Sequence, residues 1–382
     1  MKNTEDIEIR NLVKNLYESS VDALYSLAIT GGGVKALDWL LSVPGASNRI
    51  LEVVVPYSGP SLRKYLGKSI KRSVSLETAL ILADKAYQEA KHKHPGKNGF
   101  VGIGVTASLD TNRLKRSQNK FYMVAKSDKK LLGNCVIFSK EGSRDRASQD
   151  NITSLAILSL MYEVVGLQSK IEFNLSNQDK LIRYSKLEDI LEGFLQGKKE
   201  YIFVDSSGLA SDYLNFEGGI ISGSFNPLHQ GHIGMMESGS KVLKDTDVIF
   251  ELSISNVDKP DLDRKELIRR ISQFEGLSGI IITHAPMFIE KSRLFPGCKF
   301  IVGIDTMERI LDKKYYQSKT DFTNTISEFK KLSIEFLVAG RTDIDGRFKA
   351  LNDIGIEKSF KSSVSEIPES DFRVDISSRD LR

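Results

Sequence analysis

The sequence predicts two α/β domains in series. An N-terminal α/β layered domain is expected over residues 1–168 and a C-terminal parallel-sheet domain over 218–382, joined by a connector at 169–217. Three observations predict this. Short β-branched runs alternate with stretches of helical length and periodicity along most of the chain, the pattern of repeated βαβ units. At 382 residues the chain is too long for one ordinary domain. The alternation pauses once, across residues 167–217, where the sequence is more polar and less periodic.

Composition narrows the function classes. Hydrophobic residues make up 40% of the chain, enough for ordinary cores. The net charge of +4 is spread over 54 basic and 50 acidic residues, which gives no electrostatic case for a nucleic-acid partner. Cys135 and Cys298 fall one in each domain, without metal-binding spacing. No disulfide framework is expected, and a reducing, cytoplasmic setting fits. No apolar run approaches 18 residues and no signal-peptide pattern is present, so neither a membrane span nor secretion is expected.

In the N-terminal half, Ile7, Ile9, Leu12, Val13, Leu16, Tyr17 and Val21 form a helical stripe over residues 5–24. Tyr25 to Ile29 reads as a buried strand, and Thr30-Gly31-Gly32-Gly33 opens a helix through Leu41. Ile50 to Val55 reads as a strand, Leu76 to Ala90 as a helix ended by Pro95-Gly96. Val101 to Val105, Lys120 to Ala125 and Leu131 to Phe138 read as strands, and Asp150 to Val165 as an apolar helix. A Thr-Gly-Gly turn between strand and helix is a place where free amides can hold an anion.

Five segments of this half, in order, resemble the C-terminal domain of CinA, the nicotinamide-mononucleotide deamidase family. They are Thr30-Gly31-Gly32, Val43-Pro44-Gly45-Ala46-Ser47, Val55-Pro56-Tyr57-Ser58, Gly102-Ile103-Gly104-Val105-Thr106 and Gly142-Ser143-Arg144-Asp145-Arg146, so the resemblance covers residues 8–166. The chain departs from that family where the chemistry lies. The family's nucleophilic serine falls at Ala28, its lysine at Leu62 beside Arg63, and its glycine-rich loop is replaced by Ala107-Ser108-Leu109-Asp110-Thr111. Acyl transfer needs an activated nucleophile and a base that orients it. The N-terminal half therefore reads as a degenerate deamidase, with a structural or oligomerising role, ligand sensing and residual catalysis all left open. A homo-oligomer is expected from the resemblance alone.

In the connector, Tyr184 to Gln196 reads as a short helix, Tyr201 to Val204 as a strand and Ser206-Ser207-Gly208 as a turn. Beyond it the alternation resumes. Gly219 to Ser222 reads as a buried strand, followed by Gly223-Ser224-Phe225-Asn226-Pro227-Leu228-His229-Gln230-Gly231-His232 and a helix from Ile233 to Leu243. Further strands are expected at Val248 to Ile254, Gly279 to Thr283, Lys299 to Val302 and Ile334 to Val338, with helices at Arg264 to Phe274, Ala285 to Ser292 and after Gly303. Five βα units in this span fit a Rossmann-like parallel sheet, whose ligands sit at the carboxyl ends of the strands. The loops at 223–232, 255–259, 303–306 and 339–341 all lie at those ends.

The loop at 223–232 carries the chemistry. A helix N-terminus has unpaired N–H groups and a partial positive charge, so it attracts phosphate. His229 and His232 are three apart and project from one face of the first turn. The chain holds only five histidines. Gly-Ser-Phe-Asn-Pro-x-His-x-Gly-His resembles the signature of the HxGH nucleotidyltransferase superfamily. That resemblance implies a substrate phosphate attacking the α-phosphorus of a nucleoside triphosphate, with pyrophosphate leaving. It implies catalytic roles for His229 and His232, and nucleotide contacts from Gly223, Ser224, Phe225 and Gly231. Mg²⁺ would accompany ATP, and a zinc reading of the histidines lacks a third ligand at a usual spacing.

Other segments carry the resemblance further. Ile376-Ser377-Ser378-Arg379-Asp380-Leu381-Arg382 is similar to the second signature of the superfamily, which implies that Ser377, Ser378, Arg379 and Arg382 grip the distal phosphates. Arg379 stands where the family has threonine, and Arg382 ends the sequence. Phe300-Ile301-Val302-Gly303-Ile304-Asp305-Thr306 resembles a segment of the nicotinamide/nicotinate mononucleotide adenylyltransferases. Gly303, Asp305 and Arg341 are then expected at the nucleotide, and Asn256 and Lys259 at the substrate. Three readings remain open: adenylyl transfer to a pyridine mononucleotide, adenylyl or cytidylyl transfer to another phosphate ester, and a non-catalytic nucleotide-binding scaffold.

Overall fold

The computed structural model describes residues 2–112, 117–141, 144–214, 216–255, 262–342 and 347–373. It divides into two compact units, Met1–Asp189 and Ile190–Arg382. The first unit runs α1 (Lys2–Glu18), β1 (Leu24–Thr30), α2 (Lys35–Ser42), β2 (Ile50–Val54), α3 (Gly59–Leu66), α4 (Leu76–Lys93), β3 (Phe100–Ser108), β4 (Lys120–Ser127), β5 (Leu131–Ile137), α5 (Arg146–Val164) and β6 (Lys180–Lys186). Its strands lie in the order β6-β5-β4-β3-β1-β2. β1 runs parallel to β2 and β3, and β3 through β6 pair antiparallel in sequence.

Helices cover both faces of this sheet. On one, Val13 and Leu16 of α1, Trp39 and Leu40 of α2, and the apolar length of α5 pack on Leu27, Ile103 and Met123. On the other, Leu82 and Ala86 of α4 and Leu62 of α3 meet Ala28. α4 sits directly on β3 because two glycines admit it. A Cβ on Gly102 would lie 2.2 Å from the Ala83 carbonyl oxygen, and one on Gly104 2.1 Å from that of Ala79.

Residues 169–217 are divided between the units. Ile182 and Tyr184 face inward and Arg183 outward, and this alternation pairs 180–186 with β5. The expected helix at Tyr184 to Gln196 is corrected accordingly. Residues 184–186 are strand, because period-two burial against β5 decides their state, and α6 (Leu187–Leu195) follows.

The second unit contains β7 (Tyr201–Val204), β8 (Leu209–Ser211), β9 (Gly219–Ser222), α7 (Gln230–Val242), β10 (Val248–Ser253), α8 (Arg264–Ser272), β11 (Ile280–Thr283), α9 (Phe288–Leu294), β12 (Lys299–Gly303), α10 (Ile304–Leu311), α11 (Lys319–Lys331), β13 (Glu335–Ala339), the hairpin β14 (Arg341–Thr342) and β15 (Phe348–Lys349), and β16 (Val364–Ile367). Its strand order is β16-β13-β12-β9-β10-β11-β7-β8. From β11 to β16 every pair is parallel, and β7 and β8 extend the edge antiparallel. Counting β9 as the first parallel strand, the order is 3-2-1-4-5-6, the doubly wound arrangement. It places a crevice outside the carboxyl ends of β9 and β12, where the winding reverses.

α9 begins three residues later than the sequence suggests. Pro286 disfavours helical backbone at the residue before it, and the Met287 N–H instead donates to the Glu290 carboxylate at 2.9 Å, capping the helix there. α7 is held against the sheet at Gly239, where a Cβ would come within 2.5 Å of the Ile301 side chain on β12. Phe300, Phe322, Phe329, Phe336 and Phe360 form the aromatic core beneath β12 and β13.

The seating of α4 on β3 makes a direct test of the first unit. Gly104→Ala forces a methyl into backbone atoms of α4, and is expected to cost at least about 2 kcal/mol, read as a lower urea midpoint with unchanged slope. A variant as stable as the parent would mean that α4 does not pack this closely.

Candidate functional site

The loop between β9 and α7 is built around one buried ring. Phe225 is 1% exposed and adopts φ +44°, a conformation that bulky side chains rarely take. Packing holds it there. Its ring stands edge-on to His232, Phe250 and Phe274 at 5.0, 5.3 and 5.1 Å. It also fills the space above Gly223, where a Cβ would lie 2.8 Å from it. The Asn226–Pro227 peptide is cis.

α8 and the turn after it hold the loop backbone. Gln273 donates to the Phe225 carbonyl and accepts from the Leu228 N–H, both at 2.9 Å. Arg270 donates to the Ser224 carbonyl at 2.9 Å, and Arg269 to the Asn226 side chain at 2.7 Å. Glu266 bonds both arginines. Arg269 first, and then Arg270, pull its carboxyl down to about 2. None of these residues stands out in the sequence, because Arg269, Arg270 and Gln273 reach the loop from over 40 positions away and Glu266 acts only through the two arginines.

The two histidines occupy the N-cap and third position of α7. The His229 N–H donates to His232 Nδ1 at 3.3 Å, and the Gly231 N–H donates to His229 Nδ1 at 3.2 Å. An imidazole nitrogen that accepts a hydrogen bond carries no proton, so both rings are held as the Nε2–H tautomer. The rings lie 3.8 Å apart, centroid to centroid, at 31°. Burial lowers the pKa of His229. Burial, and then the neighbouring His229, push His232 down to about 4. Both are therefore neutral near pH 7, with Nε2–H as their donor.

The expectation of several free amides here needs one correction. The N–H groups of Leu228, His229 and Gly231 are engaged by Gln273 and the histidines themselves, and Gly223 donates to the Glu251 carbonyl at 3.0 Å. Those of Ser224, Phe225 and Gln230 have no hydrogen-bond partner among the described residues. The turn thus carries three amides without a partner among the described residues, beside two imidazoles that each accept a backbone N–H through Nδ1.

The remaining expected residues fall in several places. Ile301 pairs with Ile221 across β12 and β9, so Gly303 and Gly223, two residues beyond each, end adjacent strands at the same level. Gly303 is the N-cap of α10, and a Cβ there would meet open space. Asp305 and Arg341 form an ion pair with each other, both half-exposed. Asn256, Lys259, Ser377, Ser378, Arg379 and Arg382 lie outside the described residues. A cleft of about 680 Å³ opens beside the loop, lined by Gly223 and Ser224, by Met287, Phe288 and Tyr316, and by Lys291.

In the first unit the Thr-Gly-Gly turn is already occupied. Asp150 of α5 accepts from the N–H groups of Gly33 at 2.7 Å, Lys35 at 3.3 Å and Val34 at 3.4 Å. Arg146 donates to the Gly31 carbonyl and the Tyr57 hydroxyl at 3.1 Å. The sequence suggests an anion site here, and the anion is the protein's own carboxylate. Ala28 is fully buried in β1, leaving a methyl where a nucleophile would stand.

The depressed pKa of His232 fixes a pH dependence. An unfolded histidine takes up its proton near pH 6.5, whereas the folded one resists until about pH 4. The stability this group contributes is complete above pH 6.5 and lost as pH falls to about 4. The loss is up to about 3 kcal/mol, measurable as the difference in pH dependence of unfolding between the parent and His232→Asn. Parallel pH profiles would contradict it.

No family model matches the chain. It is 31% identical over 163 residues to a Schizosaccharomyces pombe protein named "Putative nicotinamide mononucleotide adenylyltransferase", a match covering 39% of this chain and 63% of that protein. Among solved structures, a competence/damage inducible protein from Agrobacterium tumefaciens is 17% identical, covering 41% of this chain and 94% of its own, with a TM-score of 0.34. A competence or damage-inducible protein from Enterobacter asburiae is 14% identical, with 41% and 96% covered and a TM-score of 0.34. A CinA superfamily protein from Enterobacter cloacae is 17% identical, with 42% and 90% covered and a TM-score of 0.33. The chain thus spans less than two thirds of the Schizosaccharomyces pombe protein it resembles in sequence, and its structural neighbours include CinA superfamily proteins.

Proposed function

We propose that the second unit is a nucleotidyltransferase that moves the adenylyl group of ATP onto nicotinamide or nicotinate mononucleotide, releasing pyrophosphate. The observation that carries this reading is the locked pair of neutral imidazoles at the start of α7, each with its proton on Nε2. An acceptor phosphate oxygen bonds to the α-phosphorus while the bond to the bridging oxygen breaks, and pyrophosphate takes up the bonding electrons. No proton need move and no enzyme-bound intermediate forms. Catalysis is then positioning, plus donors aimed at oxygens that gain charge.

The two Nε2–H groups and the three unpartnered amides supply those donors around the α- and β-phosphates. Phosphate charge close to the rings favours their protonated form, offsetting the burial that keeps them neutral in the free protein. Mg²⁺ would arrive with the triphosphate and neutralise its oxygens. The site fits that division of labour, because rings that present N–H groups are phosphate donors and not metal ligands. The relative's name supports the pyridine mononucleotide as acceptor. The Asp150-filled turn and buried Ala28 support a first unit that no longer deamidates.

The test is pyrophosphate release in Mg²⁺ from ATP with nicotinamide or nicotinate mononucleotide, set against CTP and other phosphate esters. The parent is expected to work with ATP and a pyridine mononucleotide. His232→Ala is expected to lose at least about 100-fold in kcat while still unfolding cooperatively. Release only with another pair would reject the substrate, and silence across the panel from a folded protein would reject the reaction.

A further inference from the structure

Beneath the cleft lies a buried ion pair. Glu251 of β10 is fully buried and Lys291 of α9 is 5% exposed. Lys291 Nζ donates to Glu251 Oε2 at 2.5 Å, and buried Thr283 of β11 donates to Oε1 at 2.7 Å. Two charges removed from water at such a position seldom stabilise a fold more than apolar side chains of the same size would. The pair sits close to the site. Glu251 is the register partner of Ser222, and its carbonyl accepts the first amide of the histidine loop.

Two further observations point into the cleft. Ser222, Ser224 and Lys291 all line it. The Ser222 hydroxyl is shielded from solvent and has no hydrogen-bond partner among the described residues. Lys291 has three N–H donors and gives one to Glu251. Among the described residues its ammonium makes no second hydrogen bond, and it lies 5.4 Å from the centre of the Phe288 ring. A buried hydroxyl and an under-used ammonium thus lie along one cavity that begins at the phosphate-binding loop. Neither histidine lines that cavity.

We propose that Lys291 and Ser222 form a second phosphate subsite, which receives the phosphate monoester of the acceptor rather than the triphosphate. Glu251, fixed by Thr283, holds the ammonium so that its remaining donors face the cleft. The incoming phosphate accepts from Lys291 and from the Ser222 hydroxyl. The inference rests on the proposed nucleotidyl transfer for the identity of the second phosphate. That transfer requires two phosphate groups to meet, one at the histidines and one beside Ser224, and the cleft supplies a cation at the second position.

The test uses the full-length chain and the double variant Glu251→Gln/Lys291→Met. This variant removes both charges together, keeps an acceptor for Thr283 and avoids stranding one buried ion. Calorimetric titration compares nicotinamide mononucleotide with its dephosphorylated riboside, and steady-state pyrophosphate release gives KM for each substrate. The parent is expected to prefer the mononucleotide. The variant is expected to keep cooperative unfolding, to lose about 10- to 100-fold in mononucleotide affinity and to bind the riboside as the parent does. Its KM for ATP is expected to stay within about threefold. Ser222→Ala is expected to lose mononucleotide affinity in the same direction by a smaller factor.

A folded variant that binds the mononucleotide like the parent would overturn the proposal, whatever the parent's turnover. So would a parent that binds mononucleotide and riboside equally. Weakening confined to ATP would assign Lys291 to the triphosphate and overturn the assignment to the acceptor. Phosphate-selective binding through Lys291 in a protein without turnover would sustain this subsite while rejecting nucleotidyl transfer.

Discussion

The second unit depends on a pair of reciprocal hydrogen bonds at the start of α7. Each histidine accepts a backbone N–H through Nδ1, and that one constraint has three consequences. It caps the helix, it fixes the tautomer of both rings, and it leaves each Nε2 as a donor. A side-chain cap is ordinarily the work of Ser, Thr, Asp or Asn. An imidazole in that role is unusual because it caps with one nitrogen and keeps a donor on the other. The cap uses the Nδ1 atoms of the two rings and turns their Nε2 atoms away from the helix end.

The surroundings serve that arrangement. Phe225 holds a left-handed backbone because its ring is enclosed by His232, Phe250, Phe274 and Gly223. Gln273 and Arg270 tie the loop's carbonyls to the end of α8. A loop pinned at both faces loses little further freedom on binding, so its donors are already in place. The winding of the sheet decides where this loop stands, because the reversal between β9 and β12 leaves their carboxyl ends open to a ligand.

Much of this was legible in the sequence, for identifiable reasons. Buried parallel strands are short β-branched runs with sharp boundaries, so β9, β10, β12 and β13 appear within a residue or two of their observed limits. The histidine motif is local, since its residues act on one another across three positions. What was not legible is what the chain assembles from a distance. Asp305 and Arg341 satisfy each other across 36 positions, Glu251 meets Lys291 across 40, and Asp150 fills a turn more than 110 residues away. The end of β6, residues 184–186, reads as helix in the sequence because the alternation is only a few residues long and the partner strand lies 43 to 51 positions earlier. In each case the sequence shows a polar residue, and only the fold shows whether its hydrogen-bonding capacity is already spent.

The central claim is that His229 and His232 are neutral, with their protons on Nε2, and offer those protons to an anion. Nitrogen-15 NMR of histidine-labelled protein at pH 7 tests it directly, because protonated and unprotonated ring nitrogens resonate far apart. The account predicts an unprotonated Nδ1 and a protonated Nε2 in both rings, with both Nε2 signals moving when ATP and Mg²⁺ are added. Protonated Nδ1 in either ring of the free protein, or Nε2 signals indifferent to ATP, would contradict it.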